Sequence, residues 1–248
     1  MSLYAIGDLH LHFQSPLRAQ GQLTGRVWRD HETRFRKNCE ALIRPGDTLV
    51  LVGDHSWGRN LAECEKDLQY IADLPGRKIL LRGNHDMFWD AKKTAALNAR
   101  FEGALYFLQG NYYACGDTAL VGTKGYTFEG PFTLNRRGQI VGWDREAAAH
   151  AEKLVARELE RLRQSFEAAR RDGFGKFIMF LHYPPTSILQ TRSGFTDMAE
   201  EYGAQQVIYA HCHGSARFHD SIQGNLRGVE YRLVSGDFLN WNPWRVLP

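Results

Sequence analysis

The chain has 248 residues, a formal net charge of +3 and a hydrophobic fraction of 43%. This length allows one α/β or sandwich domain to bury a substantial core, so we expect a single domain over residues 1–248. No apolar run is long enough to span a bilayer, which excludes an integral membrane protein. The small charge does not indicate nucleic acid as a partner, while a small-molecule or phosphoester substrate is compatible with it. The oligomeric state is left open.

The N-terminal stretch MSLYAIGDLHLHF lacks the basic residues that begin an export signal, and Asp8 interrupts its apolar stretch early. The four cysteines lie far apart without a CxxC pair, a distribution typical of reduced thiols. We therefore expect a cytoplasmic protein.

The first third of the chain alternates short apolar strands with helices. Continuous apolar runs predict strands covered on both faces at 3–6, 48–52 and 78–82. Apolar residues at helical spacing predict helices at about 33–43 and 60–73. In such an α/β sheet, ligands gather beyond the carboxyl ends of the strands.

The middle of the chain has a different pattern. Residues 105–122 contain short apolar segments separated by glycines, which favours antiparallel strands. Residues 144–172 then predict a long helix, with Asp144 as its N-cap and Gly173 just beyond its end. We expect the charged residues of this helix to solvate its outer face.

Two further apolar segments lead into histidines. Residues 177–185 predict a buried strand that ends at His182, and residues 206–214 predict one that ends at His211 and His213.

Residues of metal-binding types therefore follow five predicted strands. The i, i+2 spacing of Asp8 with His10, and of His211 with His213, allows both side chains of a pair to reach one ion. Each residue by itself has a structural explanation, such as a turn, a helix cap or a buried histidine, but their joint position at strand ends favours a metal site. Carboxylate, imidazole and amide ligands suit Mn, Fe, Zn or Co. The candidate ligands are Asp8, His10, Asp54, Asn84, His182, His211 and His213.

This motif order, D-x-H, G-D, G-N-H-D, a lone H and A-H-x-H, resembles the calcineurin-like metallophosphoesterase superfamily. The resemblance runs from Asp8 to His213. It implies an α/β fold, a four-layer α/β/β/α sandwich with a dinuclear metal centre at the strand ends, and two divalent or mixed-valence metal ions.

The resemblance also implies a role for each residue. Asp54 would bridge the two ions, His85 would face the substrate, and Asp86 would orient His85. One ion would be held by Asp8, His10 and His213, and the other by Asn84, His182 and His211. Two adjacent cations neutralise phosphate oxygens and make a bridging hydroxide available for in-line attack on phosphorus, while an imidazole can protonate the leaving group.

The chain departs from the protein-phosphatase branch of the superfamily at residues 53–60. GDHSWGRN lacks the second aspartate and the adjacent arginine of that branch, so we do not expect a phosphoserine or phosphothreonine protein phosphatase. Arg59 could instead contact phosphate or could lie on the first turn of a solvated helix. Lys124 and Tyr126, in a glycine-containing loop, could contact substrate or form a surface turn.

The resulting hypothesis is a metal-dependent hydrolase of phosphomonoesters or phosphodiesters. The alternative is a non-catalytic metal-binding or protein-interaction scaffold on the same fold. A nuclease or nucleotide-lipid hydrolase would be expected to show a basic strip or an apolar cap, and neither is evident in the sequence. Asp237 follows a strand as Asp54 does, but its motif does not match the family, so we expect it to have a packing role.

Overall fold

The protein is described by a computed structural model that covers residues 1–15, 23–126, 132–134, 140–143, 145–186 and 191–248. The proposed N-cap Asp144 lies outside these residues. The described strands form two large sheets and one small hairpin.

The first sheet has the strand order β13-β1-β2-β3-β4, in which β1 to β4 are parallel and β13 is antiparallel to β1. Its strands are β1 (Leu3–Ile6), β2 (Thr48–Val52), β3 (Arg77–Leu81), β4 (Tyr106–Leu108) and β13 (Trp244–Leu247).

The second sheet has the strand order β11-β12-β10-β9-β6-β5, with parallel pairing from β12 to β6 and antiparallel strands at both edges. Its strands are β5 (Tyr112–Cys115), β6 (Thr118–Thr123), β9 (Lys176–Leu181), β10 (Gln206–Tyr209), β11 (Gly224–Leu226) and β12 (Val229–Leu233). A separate hairpin pairs β7 (Phe132–Leu134) with β8 (Ile140–Trp143).

Helices connect these strands, and in the part of the chain that the structure describes none has both the length and the apolar character to cross a membrane. The α-helices are α1 (His31–Leu42), α2 (Leu61–Ala72), α3 (Thr94–Arg100), α4 (Arg145–Arg171), α5 (Gly194–Tyr202) and α6 (Gly214–Asp220). Short 3-10 turns occupy Arg26–Trp28 and Ala91–Lys93.

Three apolar cores separate four layers, which confirms the predicted α/β/β/α sandwich. Side chains alternate across β1, so Leu3 and Ala5 lie between the two sheets while Ile6 packs against helices α1 and α2. In β9, Phe180 also lies in the core between the sheets, whereas Met179 faces helices α4 and α5. Because both faces of the central parallel strands are covered, most of their residues are buried and apolar.

Two expectations for the middle of the chain need correction. Strand β4 is not part of an antiparallel set, because it pairs in parallel with β3 in the first sheet, whereas β5 and β6 do pair antiparallel. Glu158 of helix α4 does not solvate the outer face. It is fully buried and accepts a hydrogen bond from Gln109 at 2.8 Å and another from Thr123.

Glycines at the strand ends allow the neighbouring turns to approach closely. A Cβ atom at Gly83 would lie 2.1 Å from Asp54 Oδ1 and 2.2 Å from the Asp54 backbone nitrogen. A Cβ atom at Gly53 would lie 2.3 Å from His182 Nδ1. These distances are shorter than any van der Waals contact, so side chains here would separate the ends of β2, β3 and β9.

We predict that Gly83→Ala destabilises the protein by about 1–3 kcal/mol, because the added methyl group would displace Asp54. The measurement is the free energy of unfolding in urea. The matched control is Gly175→Ala, because a Cβ atom at Gly175 has no neighbour within 4 Å and its φ is not in the left-handed region. We expect this control to leave stability unchanged or to raise it by up to about 1 kcal/mol. Equal stability of the two variants would contradict the close approach.

Candidate metal centre

The predicted ligands converge at the carboxyl ends of the parallel strands, where the loops of both sheets meet. Their donor atoms form two groups, and within each group they lie within 4.8 Å of one another. The two groups are Asp8, His10 and His213, and Asp54, His182 and His211. Strands β9 and β10 end at Leu181 and Tyr209, so the three C-terminal histidines lie in loops rather than on strands.

In the first group, two imidazole nitrogens face each other. His10 Nε2 lies 3.4 Å from His213 Nε2. His213 Nε2 also lies 4.0 Å from Asp8 Oδ2. The other ring nitrogen of His213, Nδ1, lies 3.0 Å from Asp237 Oδ1. Asp8 also accepts a hydrogen bond from the His211 backbone N–H at 2.9 Å, which joins the loops after β1 and β10.

The second group is centred on His182, which is fully buried. Its Nε2 lies 2.7 Å from Asn84 Oδ1, 3.2 Å from His211 Nδ1 and 3.3 Å from Asp54 Oδ2. Its Nδ1 lies 3.0 Å from the Val52 carbonyl oxygen, which acts as an acceptor and leaves Nε2 directed towards the site. Asn84 is therefore adjacent to the second group.

Asp54 is a member of the second group but also faces the first. Its Oδ2 atom is 3.7 Å from His10 Nε2 and 3.3 Å from His182 Nε2, while its Oδ1 accepts a hydrogen bond from the His85 backbone N–H at 2.8 Å. One carboxylate oxygen thus faces donors of both groups, which is the position that a bridging ligand requires.

Burial and neighbouring opposite charges shift the pKa values of these side chains in opposite directions. Burial lowers the pKa of His211 to about 3 and holds that of His10 well below its usual value, so both imidazoles are neutral bases. Burial opposes the ionisation of Asp54, but the neighbouring His182 holds its pKa well below the usual range. Burial likewise opposes the charge on His182, yet the carboxylates of Asp54 and Asp8 raise its pKa to about 9.

The residues fit a cation. Asp8 Oδ1 is buried and has no hydrogen-bond partner among the described residues, which is costly unless a positive charge satisfies it. Imidazoles, carboxylates and one amide oxygen form the donor set of borderline divalent ions, and all four cysteines lie outside both groups.

Four of these residues have left-handed backbone conformations. The φ angles are 62° at Asp8, 46° at His10, 54° at Asp54 and 71° at His211. Such conformations cost non-glycine residues roughly 1–3 kcal/mol each and occur where the surrounding fold enforces them. The turns after β1, β2 and β10 are therefore bent sharply to direct these side chains inwards.

His85 lies at the edge of the first group, but Asp86 does not orient it as the motif implied. The His85 ring is half-buried and 5.4 Å from the His10 ring. The Asp86 carboxylate is fully buried and accepts hydrogen bonds from the backbone N–H groups of Gly83, Asp54 and His55 at 2.7, 3.0 and 2.8 Å. Asp86 therefore stabilises the turns that carry Asp54 and Asn84, and among the described residues it forms no hydrogen bond with the His85 imidazole.

Aromatic residues that the motif search missed surround the first group. The Trp57 ring stacks on the His10 ring at 5.0 Å and lies 4.5 Å from the His85 ring. The Trp28 ring is 5.9 Å from the His10 ring. Trp57 lies three residues after Asp54 and could have been considered from that proximity, whereas no local signal connects Trp28 with the site.

The predicted substrate contacts differ in their positions. Lys124 Nζ lies 5.5 Å from the Tyr126 ring and 5.4 Å from the Tyr183 ring, and the Tyr183 ring is 4.3 Å from the His211 ring. Burial, with a contribution from nearby arginines, lowers the pKa of Lys124 to about 8. Lys124 and Tyr126 are thus connected to the second group through Tyr183, which the sequence reasoning missed.

Arg59 is more remote from the donors. Its side chain is 62% exposed and lies 3.7 Å from Glu63, which belongs to the first turn of α2. In the described part of the chain it contacts none of the candidate ligands.

Two solved structures are similar to this chain at low sequence identity. Phosphopantetheinyl hydrolase from Mycobacterium tuberculosis is 15% identical, with a TM-score of 0.52 over 100% of this chain and 96% of that chain. A protein of unknown function from Aquifex aeolicus is also 15% identical, with a TM-score of 0.49 over 98% of this chain and 95% of that chain. No curated protein matches the sequence.

The family comparison is more specific. The calcineurin-like phosphoesterase model matches residues 1–215, which include all the candidate ligands. This match and the two donor groups indicate a dinuclear metal site and, in general terms, phosphoester hydrolysis. The chain belongs to the calcineurin-like phosphoesterase family.

Proposed function

We propose that this protein is a dinuclear metallophosphoesterase that hydrolyses a phosphomonoester or a phosphodiester. The position of Asp54 carries the proposal, because its Oδ2 atom faces His10 of one donor group and His182 of the other. A single carboxylate shared by two adjacent sets of donors is expected in a centre that holds two ions close together.

Each donor has a role in this proposal. Asp54 would contact both ions, and Asn84 would complete the second set through its amide oxygen. Asp8, His10 and His213 would hold the first ion, and His182 and His211 would hold the second. The ions would supply positive charge for the phosphoryl oxygens and make a water molecule nucleophilic near neutral pH.

His85 is the proposed proton donor to the leaving group. Its backbone is fixed by the hydrogen bond to Asp54, and its ring is held beside Trp57. Among the described residues its ring nitrogens have no hydrogen-bond partner, so they are available to a substrate. Asp86 contributes indirectly, because its three backbone hydrogen bonds stabilise the turn that precedes His85.

Substrate binding is assigned to the side of the second group. Lys124 places a positive charge beside Tyr126 and Tyr183, where it could pair with a phosphate oxygen. Arg59 stays a candidate for a more distant anionic part of the substrate, since its side chain is exposed on the surface.

Metal analysis followed by an activity panel tests the function. The purified protein is expected to bind two ions per chain and, with Mn²⁺, to hydrolyse nitrophenyl phosphate, bis-nitrophenyl phosphate or both. Cyclic nucleotides, a phosphopeptide and a phosphopantetheinylated carrier protein extend the panel. Two bound ions without turnover of any ester would favour the scaffold alternative, and the absence of bound ions would refute the proposal.

We predict that Asp54→Asn lowers kcat/KM by at least about a hundredfold and reduces the bound metal, because loss of a direct ligand should exceed the 10–100-fold effect of an outer contact. Asparagine tolerates the left-handed backbone at this position, so the change isolates the carboxylate charge. The control is Asp30→Asn, because Asp30 is exposed and also left-handed, with a φ of 48°. Normal turnover and metal content in Asp54→Asn would refute the bridging role.

We predict that His85→Ala slows hydrolysis of an alkyl phosphate by about a hundredfold or more, because an alkoxide leaving group requires a proton. The same change should affect nitrophenyl phosphate by less than about tenfold, since nitrophenolate leaves without protonation. The measurement is kcat/KM for both esters, with the exposed His219→Ala as the control. Equal losses on the two esters would argue against a proton-donor role.

A further inference from the structure

Asp237 lies outside the family match but next to the candidate metal centre. It follows strand β12, beyond residues 1–215, and is only 8% exposed. Its motif is not a family motif, so the sequence alone predicts a packing role. The structure instead brings it into contact with His213, a residue of the first donor group.

The two oxygens of the Asp237 carboxylate contact the His213 ring and the backbone next to it. Its Oδ1 atom lies 3.0 Å from His213 Nδ1 and accepts a hydrogen bond from the Phe238 N–H at 3.1 Å. Its Oδ2 atom accepts a hydrogen bond from the Gly214 N–H at 3.2 Å. Asp237 therefore fixes both the imidazole of His213 and the backbone that follows it.

This contact determines which imidazole nitrogen faces the centre. An ionised carboxylate can only accept hydrogen bonds, so the hydrogen of the 3.0 Å contact lies on His213 Nδ1. The Nε2 atom is then the one directed towards His10 Nε2 and Asp8. A carboxylate behind an imidazole also makes the imidazole a more basic metal ligand.

The two donor groups differ in how their imidazoles are held. In the second group, the Nδ1 atom of His182 is bound by the Val52 carbonyl, which side-chain substitution cannot remove. In the first group, His10 Nδ1 has no hydrogen-bond partner among the described residues. Among the described residues outside the first group, Asp237 is therefore the one that forms a hydrogen bond with an imidazole of that group.

We propose that Asp237 is a positioning residue that orients His213 and thereby sets the metal affinity of the first group, Asp8, His10 and His213. This inference rests on the proposed dinuclear centre. It makes the two metal sites unequal in their dependence on the chain beyond residue 215: the first depends on Asp237 to hold His213, whereas in the second His182 is held by the Val52 carbonyl of β2.

The test is Mn²⁺ binding by isothermal titration calorimetry to the full chain and to Asp237→Asn. Asparagine keeps the size of the side chain but removes its charge. The wild-type protein is expected to bind two ions. In Asp237→Asn, one of the two dissociation constants is expected to rise by about 10–100-fold while the other stays unchanged. Asp237→Glu, which retains the carboxylate, is expected to recover part of the lost affinity.

The matched control is Asp47→Asn. Asp47 is also 8% exposed and also accepts backbone hydrogen bonds, from the N–H groups of Ser2 at 2.7 Å and Arg44 at 2.9 Å. Among the described residues it contacts no histidine, so the control is expected to retain both dissociation constants. Unfolding of each metal-free variant in urea is measured in parallel to detect a purely structural effect.

The outcomes separate this inference from the proposed function. If Asp237→Asn binds both ions with the same dissociation constants as the wild-type protein, the role of Asp237 is overturned and the dinuclear centre is left intact. Equal weakening of both sites together with a loss of metal-free stability would show a structural role and also overturn it. A wild-type protein that bound no Mn²⁺ would overturn the dinuclear centre itself, and with it this inference.

Discussion

The close approach of the turns after β2 and β3 is the constraint on which the rest of the site depends. It requires a residue without a Cβ atom at Gly83, since that atom would lie 2.1 Å from the Asp54 carboxylate. The two turns then hold each other. Asp54 accepts the His85 N–H, and Asp86 accepts the N–H groups of Asp54 and His55. This reciprocal arrangement fixes the central carboxylate before any ion binds, which favours a preorganised centre.

Both donor groups take residues from both sheets. Asp8 and Asp54 follow strands of the first sheet, whereas His182, His211 and His213 follow strands of the second. Neither group can therefore form unless the two sheets pack face to face through the apolar core between them. This dependence explains why residues that are distant in the chain, such as Asp8 and His211, are joined by a direct hydrogen bond of 2.9 Å.

The fold stabilises this site despite unfavourable contributions to the free energy of folding. Four candidate ligands have left-handed backbones. Burial adds the cost of desolvating the Asp54 and Asp8 carboxylates. Three large apolar cores supply the compensating free energy, and two bound cations would relieve the electrostatic part directly.

Sequence patterns alone predict the first β-α-β-α-β segment, the glycines and metal-type residues at the strand ends and, through the family motifs, the two sets of candidate ligands. These follow from local periodicity and from motifs within a few residues of each strand. Tertiary structure decided which partners the side chains have. The orientation of His213 by Asp237, the backbone contacts of Asp86, the burial of Glu158 and the sheet to which β4 belongs all depend on contacts between distant segments. Local patterns carry no information on such contacts, because the same glycine–aspartate pair can cap a turn, bridge two ions or orient a histidine according to what packs against it.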